Sequence, residues 1–338
     1  MILREDFEKR EYEILSPFAA KAAESKGRQY EEKKCDVRTD YQRDRDRIVH
    51  SKAFRRLMHK TQVFLAPEGD HFRTRLTHTI EVSQIARTIA RGLALNEDLA
   101  EAIAMGHDLG HTPFGHNGED FLDQRHPGGF KHSVQSLRVV DILETGGHGR
   151  GMNLTFEVRD GILNHTGDST PVTLEGQIVK FSDRIAYINH DIDDAVRSGV
   201  IKESDLPKDC VDILGHSHRT RINTLVSDLI RNSDGRDQII MSDECRFYMD
   251  KLRSYMFENV YHSKVVKKDE ELDKVKNMIF SLYDYYVKNP KELPPETRNM
   301  IDEFGIDEVV KDHIAGMTDR YALSIYSELF IPKGWKIE

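Results

Sequence analysis

The residues best suited to chemistry are a neighbouring pair, His107-Asp108, in the stretch Ala104-Met-Gly-His-Asp-Leu-Gly-His-Thr-Pro-Phe-Gly-His116. An imidazole nitrogen beside a carboxylate oxygen offers donors that suit a divalent transition metal of intermediate softness. Neighbours on a helix project about 100° apart, so both reach one ion only from the rim of a cleft. Alone, such a dipeptide reads more readily as a surface dyad. It is accompanied by His78 upstream and Asp183 downstream, each in a segment of its own.

The elements that must position these residues read as helices. Arg75 to Leu93 carries Leu76, Ile80, Ile85, Ile89 and Leu93 close to one helical stripe. Leu99 to Met105 is apolar and Ala-rich, and ends near Gly106. Leu174 to Val196 has Ile178, Phe181, Ile185, Ile188 and Ile192 at spacings of three or four. The order His78, His107-Asp108, Asp183 resembles the ligand set of the HD-domain metal phosphohydrolases. Such a set requires three helices to meet around the ion. Two imidazoles and two carboxylates leave coordination positions open for water or a phosphate oxygen. The metal then lowers the pKa of bound water towards ~7 and neutralises charge on phosphorus oxygens.

The resemblance narrows with longer motifs. They are Ser51-Lys-Ala-Phe-Arg-Arg-Leu-Met-His-Lys-Thr-Gln-Val63, Thr74-Arg-Leu-Thr-His78 and His107-Asp-Leu-Gly-His-Thr-Pro-Phe-Gly-His-Asn-Gly-Glu119. Asp183-Arg-Ile-Ala-Tyr-Ile-Asn-His-Asp-Ile-Asp-Asp194 and Gly316-Met-Thr-Asp-Arg-Tyr-Ala322 join them. From about Tyr41 onward the chain is similar to the deoxyguanosine triphosphate triphosphohydrolases, the bacterial branch of the dNTP triphosphohydrolases. The resemblance implies an all-α HD-domain core with accessory C-terminal helices. It implies hydrolysis of a dNTP at the α-phosphorus to a deoxynucleoside and tripolyphosphate. His78, His107, Asp108 and Asp183 would hold a divalent metal (Mn2+, Mg2+, Fe or Co). Tyr187 and Asp191 would contact the deoxyribose, Gln62 the sugar or base, and His132 would be a further active-site histidine. Some relatives take a second dNTP as activator or bind single-stranded nucleic acid, and a tetramer or hexamer is implied.

The residues support these roles on their own chemistry. Asp183, Tyr187 and Asp191 are spaced i, i+4, i+8 and line one helix face. Arg75, Arg184 and Lys60 are candidates for the triphosphate, since a guanidinium meets phosphate oxygens bidentately. The formal net charge of -9 repels a polyanion on average. Clustering of Arg55, Arg56, Lys60, Arg73 and Arg75 reverses that sign locally. His111, His116, Glu119 and His132 form the acid/base pool. His116 and Glu119 are spaced i, i+3, so a helical turn lets Glu119 orient the His116 imidazole. Pro127-Gly-Gly129 is a flexible turn suited to a mobile cover.

The 338 residues are 32% charged and dominated by helical patterning, as in a water-soluble helical protein. No run approaches the roughly 18 apolar residues of a membrane span. Three widely spaced cysteines, Cys35, Cys210 and Cys245, fit a reducing cytoplasm and no disulfide framework. We divide the chain into a charged N-terminal arm (1–45), the HD metal-phosphohydrolase core (46–200) and a C-terminal helical region packed on the core (201–338). Ser16-Pro17 interrupts two helical stretches in the arm, which by resemblance reaches towards neighbouring subunits. Gly146 to Gly151 reads as a loop, and the alternating Leu154 to Val158 as helix. His218 to Ile230 and Glu270 to Val287 are accessory helices, the second stopped by Pro294-Pro295, with Tyr283, Tyr285 and Tyr286 packing. Two other readings stand beside the triphosphohydrolase. One is an HD phosphohydrolase acting on another nucleotide phosphate ester. The other is a nucleic-acid-binding regulatory protein with a vestigial site, against which stands the acidic balance.

Overall fold

Three capped helices carry the expected stripes into one core. A computed structural model describes residues 1–62, 73–146, 149–261 and 269–332. The Arg75–Gly92 helix opens on Thr74, whose side chain accepts from the Thr77 N–H. It buries Val82, Ile85, Ala86, Ile89 and Ala90 on the His78 side. Ile80, two residues from His78, faces outward and is 50% exposed, because two helical steps turn it to the opposite face. The Glu97–Gly106 helix opens on Asn96, which accepts from the N–H groups of Asp98 and Leu99. Glu97 and Asp98 add negative charge where the helix dipole favours it. The Leu174–Arg197 helix opens on Thr173 and buries Ile178, Ile185, Ile188 and Ile192.

These helices pack with the Phe156–Asn164 helix around Leu99, Ile103, Val158 and Ile162. Each such side chain stabilises the fold by about 1.5–3 kcal/mol on burial. The same core continues past residue 200 through Leu225, Val226, Leu229, Met249 and Leu252. A second core joins Phe114, Leu122 and Phe130 to the Asp269–Lys288 and Ile306–Ala315 helices. The C-terminal region thus packs against the preceding helices in both cores.

Several local expectations are corrected. The Asp269–Lys288 helix stops before Asn289-Pro290, because Pro290 lacks a donor and restricts the residue before it. Pro295 instead occupies the first turn of the Pro295–Arg298 helix, where a missing N–H costs nothing. Tyr283 is fully buried, and its hydroxyl meets Asp307 and His126 at 2.9 and 3.0 Å, a packing role as expected. Within the expected Gly146 to Gly151 loop, Thr145–Gly146 and Gly149–Arg150 pair antiparallel; residues 147 and 148 lie outside the described residues. The helix expected over 154–158 begins only at Phe156. Before it, Thr155 donates from N and Oγ1 to buried Asp44 at 2.8 and 2.7 Å.

The arm starts with the Arg4–Ile14 helix, and Ser16-Pro17 follows its end. Beyond it come one 3-10 turn, Ala22–Glu24, and the Asp40–Val49 helix, which leads out of the arm. Arg28 pairs with Asp44 within the arm and fastens the arm to the core by donating to the Asn153 carbonyl at 2.6 Å. Among the described residues, no helix is long and apolar enough to cross a membrane.

Candidate metal centre

The three long helices bring His78, His107, Asp108 and Asp183 together. His78 Nε2 lies 3.0 Å from Asp183 Oδ1, and His107 Nε2 lies 3.4 Å from Asp108 Oδ1 and 3.8 Å from Asp183 Oδ1. Donor atoms of His78, His107 and Asp108 all fall within 4.8 Å of one another. His107 ends the Glu97–Gly106 helix, and its Nδ1 is 2.7 Å from the Ala104 carbonyl. A carbonyl only accepts, so Nδ1 carries the proton and Nε2 the lone pair. That buried Nε2 has no partner. Burial opposes ionisation of Asp183, yet the hydrogen bond to His78 and the nearby His107 hold it below the usual carboxylate range. Asp108 is held low in the same way by His107, His111 and Arg75. An orphaned imidazole nitrogen among two ionised carboxylates fits a divalent metal ion.

A single hydroxyl fixes the turn that carries the pair. Ser136 Oγ donates to the His107 carbonyl at 2.7 Å and accepts from Gly110 N–H at 2.9 Å. A Cβ at Gly110 would fall 2.2 Å from Ser136 N, so only glycine permits this approach.

Arg75 stands one turn before His78 and is 1% exposed. One nitrogen donates to Asp108 Oδ2 at 2.9 Å, while Nε and the other terminal nitrogen have no partner. Gln62 is buried beside it with Oε1 unpartnered. The Gln62 carbonyl would sit 2.6 Å from a Cβ at Gly115, which adopts φ +58° to begin the Gly115–Arg125 helix. Lys60 departs from the expected triphosphate role. Its buried ammonium donates to the carbonyls of His111 and, at 2.8 Å, Ala315. Lys60 thereby ties the catalytic segment to the C-terminal region. Burial and the neighbouring Arg56 lower its pKa to about 7. Asp319 does similar work: it accepts from Thr61 N–H at 3.0 Å and Phe114 N–H at 2.9 Å.

On the other side of Asp108 lie His111, His116, Glu119 and His132. The expected His116 to Glu119 contact exists at 3.3 Å, but His116 is largely exposed. Glu119 chiefly orients His132, accepting from its backbone N–H at 2.8 Å and from Nδ1 at 2.8 and 3.0 Å. Burial works against Glu119 ionisation, but the His116 and His132 hydrogen bonds hold it far below the usual range. His111 stacks on His132 with centroids 4.0 Å apart, and burial pushes its pKa well down. The Pro127-Gly-Gly129 turn is tethered rather than a loose cover: Phe130 N–H donates to Asp123 at 2.6 Å, and Phe130 enters the second core.

His165, outside every sequence motif, completes the site. It ends the Phe156–Asn164 helix, is 1% exposed, and lies 3.2 Å from His132 through their Nε2 atoms. Eight histidines form a continuous array in the order 218, 190, 78, 107, 165, 132, 111, 116, with successive centroids 4.0 to 5.8 Å apart.

The Leu174–Arg197 helix carries the remaining candidates. Tyr187 is half-buried and Asp191 buried, one and two turns beyond Asp183. Burial raises the Tyr187 hydroxyl pKa, so it is protonated at neutral pH. Arg184 makes no ion pair among the described residues. Arg73 is engaged by Glu81, Asp193 and Asp194. A cavity of about 600 Å³ lies behind the catalytic turn, lined by Arg56, Lys60, Gly110, Gln135 and His313. None of the four candidate metal ligands lines it.

Comparison with known proteins agrees with this geometry. Residues 75–188 match the HD domain, and residues 239–328 a phosphohydrolase-associated domain. A deoxyguanosinetriphosphate triphosphohydrolase-like protein of Caldanaerobacter subterraneus subsp. tengcongensis is 58% identical, covering 99% of this chain and 98% of the relative. One from Clostridium tetani is 46% identical over 98% of this chain and 97% of its own length. The solved structure of a phosphohydrolase from Bacteroides thetaiotaomicron is 19% identical, with a TM-score of 0.52, covering 84% of this chain and 68% of that one, a likeness of fold. The chain is an HD-domain phosphohydrolase and belongs to the deoxyguanosinetriphosphate triphosphohydrolase-like family.

Proposed function

We propose that this protein hydrolyses deoxynucleoside triphosphates to deoxynucleoside and tripolyphosphate. The observation that carries the reading is Arg75. A fully buried guanidinium with two unpartnered nitrogens, beside the metal ligands, calls for an anion. Leaving a buried donor unsatisfied costs about 1–3 kcal/mol, which a phosphate oxygen would offset. Relatives sharing nearly the whole length carry triphosphohydrolase-like names.

His78, His107, Asp108 and Asp183 would hold the divalent metal, of the Mn2+, Fe, Co or Mg2+ class. When bound, that ion supplies Lewis acidity at phosphorus and an acidified water. The chain's own groups do the positioning. Arg75 grips a phosphate oxygen while its pairing with Asp108 fixes the guanidinium plane. Arg184 neutralises charge further along the polyphosphate. Tyr187 and Asp191 face the deoxyribose, where a tyrosine ring crowds a 2′-hydroxyl and an aspartate accepts from the 3′-hydroxyl. Gln62 addresses the sugar or base. The pool of His111, His116 and His132, set by Glu119, takes the proton from water and returns one to the leaving 5′-oxygen.

The test is to incubate the protein with each dNTP and Mn2+ and identify products by anion exchange. Tripolyphosphate is the expected product. Release of orthophosphate or pyrophosphate alone would assign the site to another phosphate ester. Tyr187→Ala should narrow the preference for dNTP over NTP about tenfold or more, since discrimination here is steric exclusion. Unchanged selectivity removes Tyr187 from the sugar site.

A further inference from the structure

The cavity of about 600 Å³ behind the catalytic turn has no part in the chemistry above. Three nitrogen-bearing side chains, Arg56, Lys60 and His313, meet in its wall. We propose that this cavity binds a phosphate monoester, its phosphate held by Arg56, Lys60 and His313 and its body seated on the apolar remainder. The binding does not depend on which nucleotide the metal centre hydrolyses.

Each of the three side chains has a nitrogen to spare. The Arg56 guanidinium makes no ion pair or hydrogen bond among the described residues. Its Nη1 stands 3.3 Å from where a Cβ at Gly316 would lie, beside the backbone that Lys60 holds. Lys60 spends two of its three ammonium N–H groups on the carbonyls of His111 and Ala315. The third finds no acceptor among the described residues. His313 Nε2 is buried without a partner. Burial, and after it the nearby Arg56, lower the pKa of His313 to about 4 and that of Lys60 to about 7. Positive charge is thus crowded at this end, and an anion set among the three relieves it. The Ile306–Ala315 helix ends here, but its dipole offers only about half a negative charge. That does not balance a guanidinium and an ammonium together. Phosphate oxygens suit such a set, since a guanidinium meets them bidentately and an ammonium takes one as a point charge.

The rest of the wall defines the body. Val139, Leu143 and Met300 line it, and the volume falls within the roughly 300–1,000 Å³ usual for small-molecule sites, far more than a bare phosphate fills. Glu144, Glu296 and Asp312 line it too. Asp312 is engaged by Arg138 and Gln135, and Glu144 accepts from Ala53 N–H, yet their charge remains on the wall. A chain of phosphates would run against these carboxylates. The occupant is therefore a single phosphate on an uncharged body, unlike the triphosphate proposed for the metal centre.

The test titrates the full chain, loaded with Mn2+, with phenylphosphonate, which pairs a phosphate-like dianion with an apolar ring and has no ester bond to cleave. Calorimetry reads affinity and the number of sites. Two sites per wild-type chain are expected, because Arg75 also calls for an anion. Arg56→Ala should weaken one of them about tenfold or more, and Arg56→Lys should restore part of that loss. Met300→Trp, which fills the apolar end, should remove the same site without touching a charge. Orthophosphate should bind there at least about tenfold more weakly than phenylphosphonate. Binding that neither Arg56→Ala nor Met300→Trp alters overturns the proposal, and equal affinity for orthophosphate overturns the monoester assignment. A single wild-type site that Arg56→Ala removes would uphold this cavity and count against Arg75 as a phosphate ligand. A single site that only Arg75→Ala removes would do the reverse.

Discussion

The two halves of the histidine array are built differently. His78 and Asp183 sit within long, capped helices whose apolar faces fill the main core, His107 caps a third, and Asp108 follows it in the turn that Ser136 holds. Their places follow from helical periodicity. His111, His116, Glu119, His132 and His165 sit at helix starts, helix ends and turns. Their directions depend on left-handed backbone at Phe114, Gly115 and Gly129 and on tertiary hydrogen bonds. The first half is held by packing that tolerates little motion, the second by a handful of polar contacts. The candidate ligand set is thus mainly a property of the scaffold, and the proposed proton-handling set a property of the turns and helix ends fastened to it.

The sharpest way to break that contrast is to remove a ligand from the rigid half. Asp183→Asn should lower turnover by about 10³-fold or more, because charge and metal are lost together. The melting temperature should shift only a few degrees, since Asp183 reaches the cleft from a helix whose apolar face is untouched. Steady-state hydrolysis alongside thermal unfolding reads both. Activity above a tenth of wild type would show that the metal is held elsewhere.

The loop-built half should respond less steeply. Glu119→Gln leaves an oxygen to accept the His132 N–H but presents an amide where the imidazole needs a full carboxylate. We expect kcat to fall about 10- to 100-fold, with KM for the nucleotide changed little. A kcat within twofold of wild type would reduce the Glu119 contacts to packing.

The same contrast explains what the sequence disclosed. The ligand quartet and the three helices were legible because spacing along a helix is spacing in space. Helical spacing pairs Glu119 with His116, its neighbour on the same helix, whereas the structure gives the shorter bonds to His132, delivered by a turn. His165 carries no local signature: its meaning depends on Ile162 offering a carbonyl and on His132 arriving from another helix. Lys60 looked like a phosphate ligand by charge alone, yet the C-terminal Ala315 carbonyl, 255 residues away, claims it. Long-range backbone acceptors leave no trace in a linear pattern. The second core was hidden similarly, because Phe114 and Phe130 look like parts of the catalytic segment until their C-terminal partners are placed.

Any pH series on the two halves needs a baseline from the scaffold, and Glu175 supplies one. It is fully buried on the Leu174–Arg197 helix and accepts from Ala20 N–H at 3.1 Å and Asn96 N–H at 2.9 Å. Burial raises its pKa to about 7 from an ordinary 4.5. The folded chain therefore keeps a proton that the unfolded chain has released across that interval. Stability from this group is fully present below about pH 4.5 and is lost as pH rises through about 7. Glu175→Gln retains an accepting oxygen and has no proton to lose. Its stability relative to wild type should rise between pH 5 and pH 8 by on the order of 1–3 kcal/mol, read from denaturant midpoints. A difference that stays flat over that range would mean the carboxyl ionises as though exposed. Metal count and kcat should not move, because Glu175 bonds to the arm and to a helix start rather than to the array. Movement of either would show that the scaffold and the loop-built half titrate together.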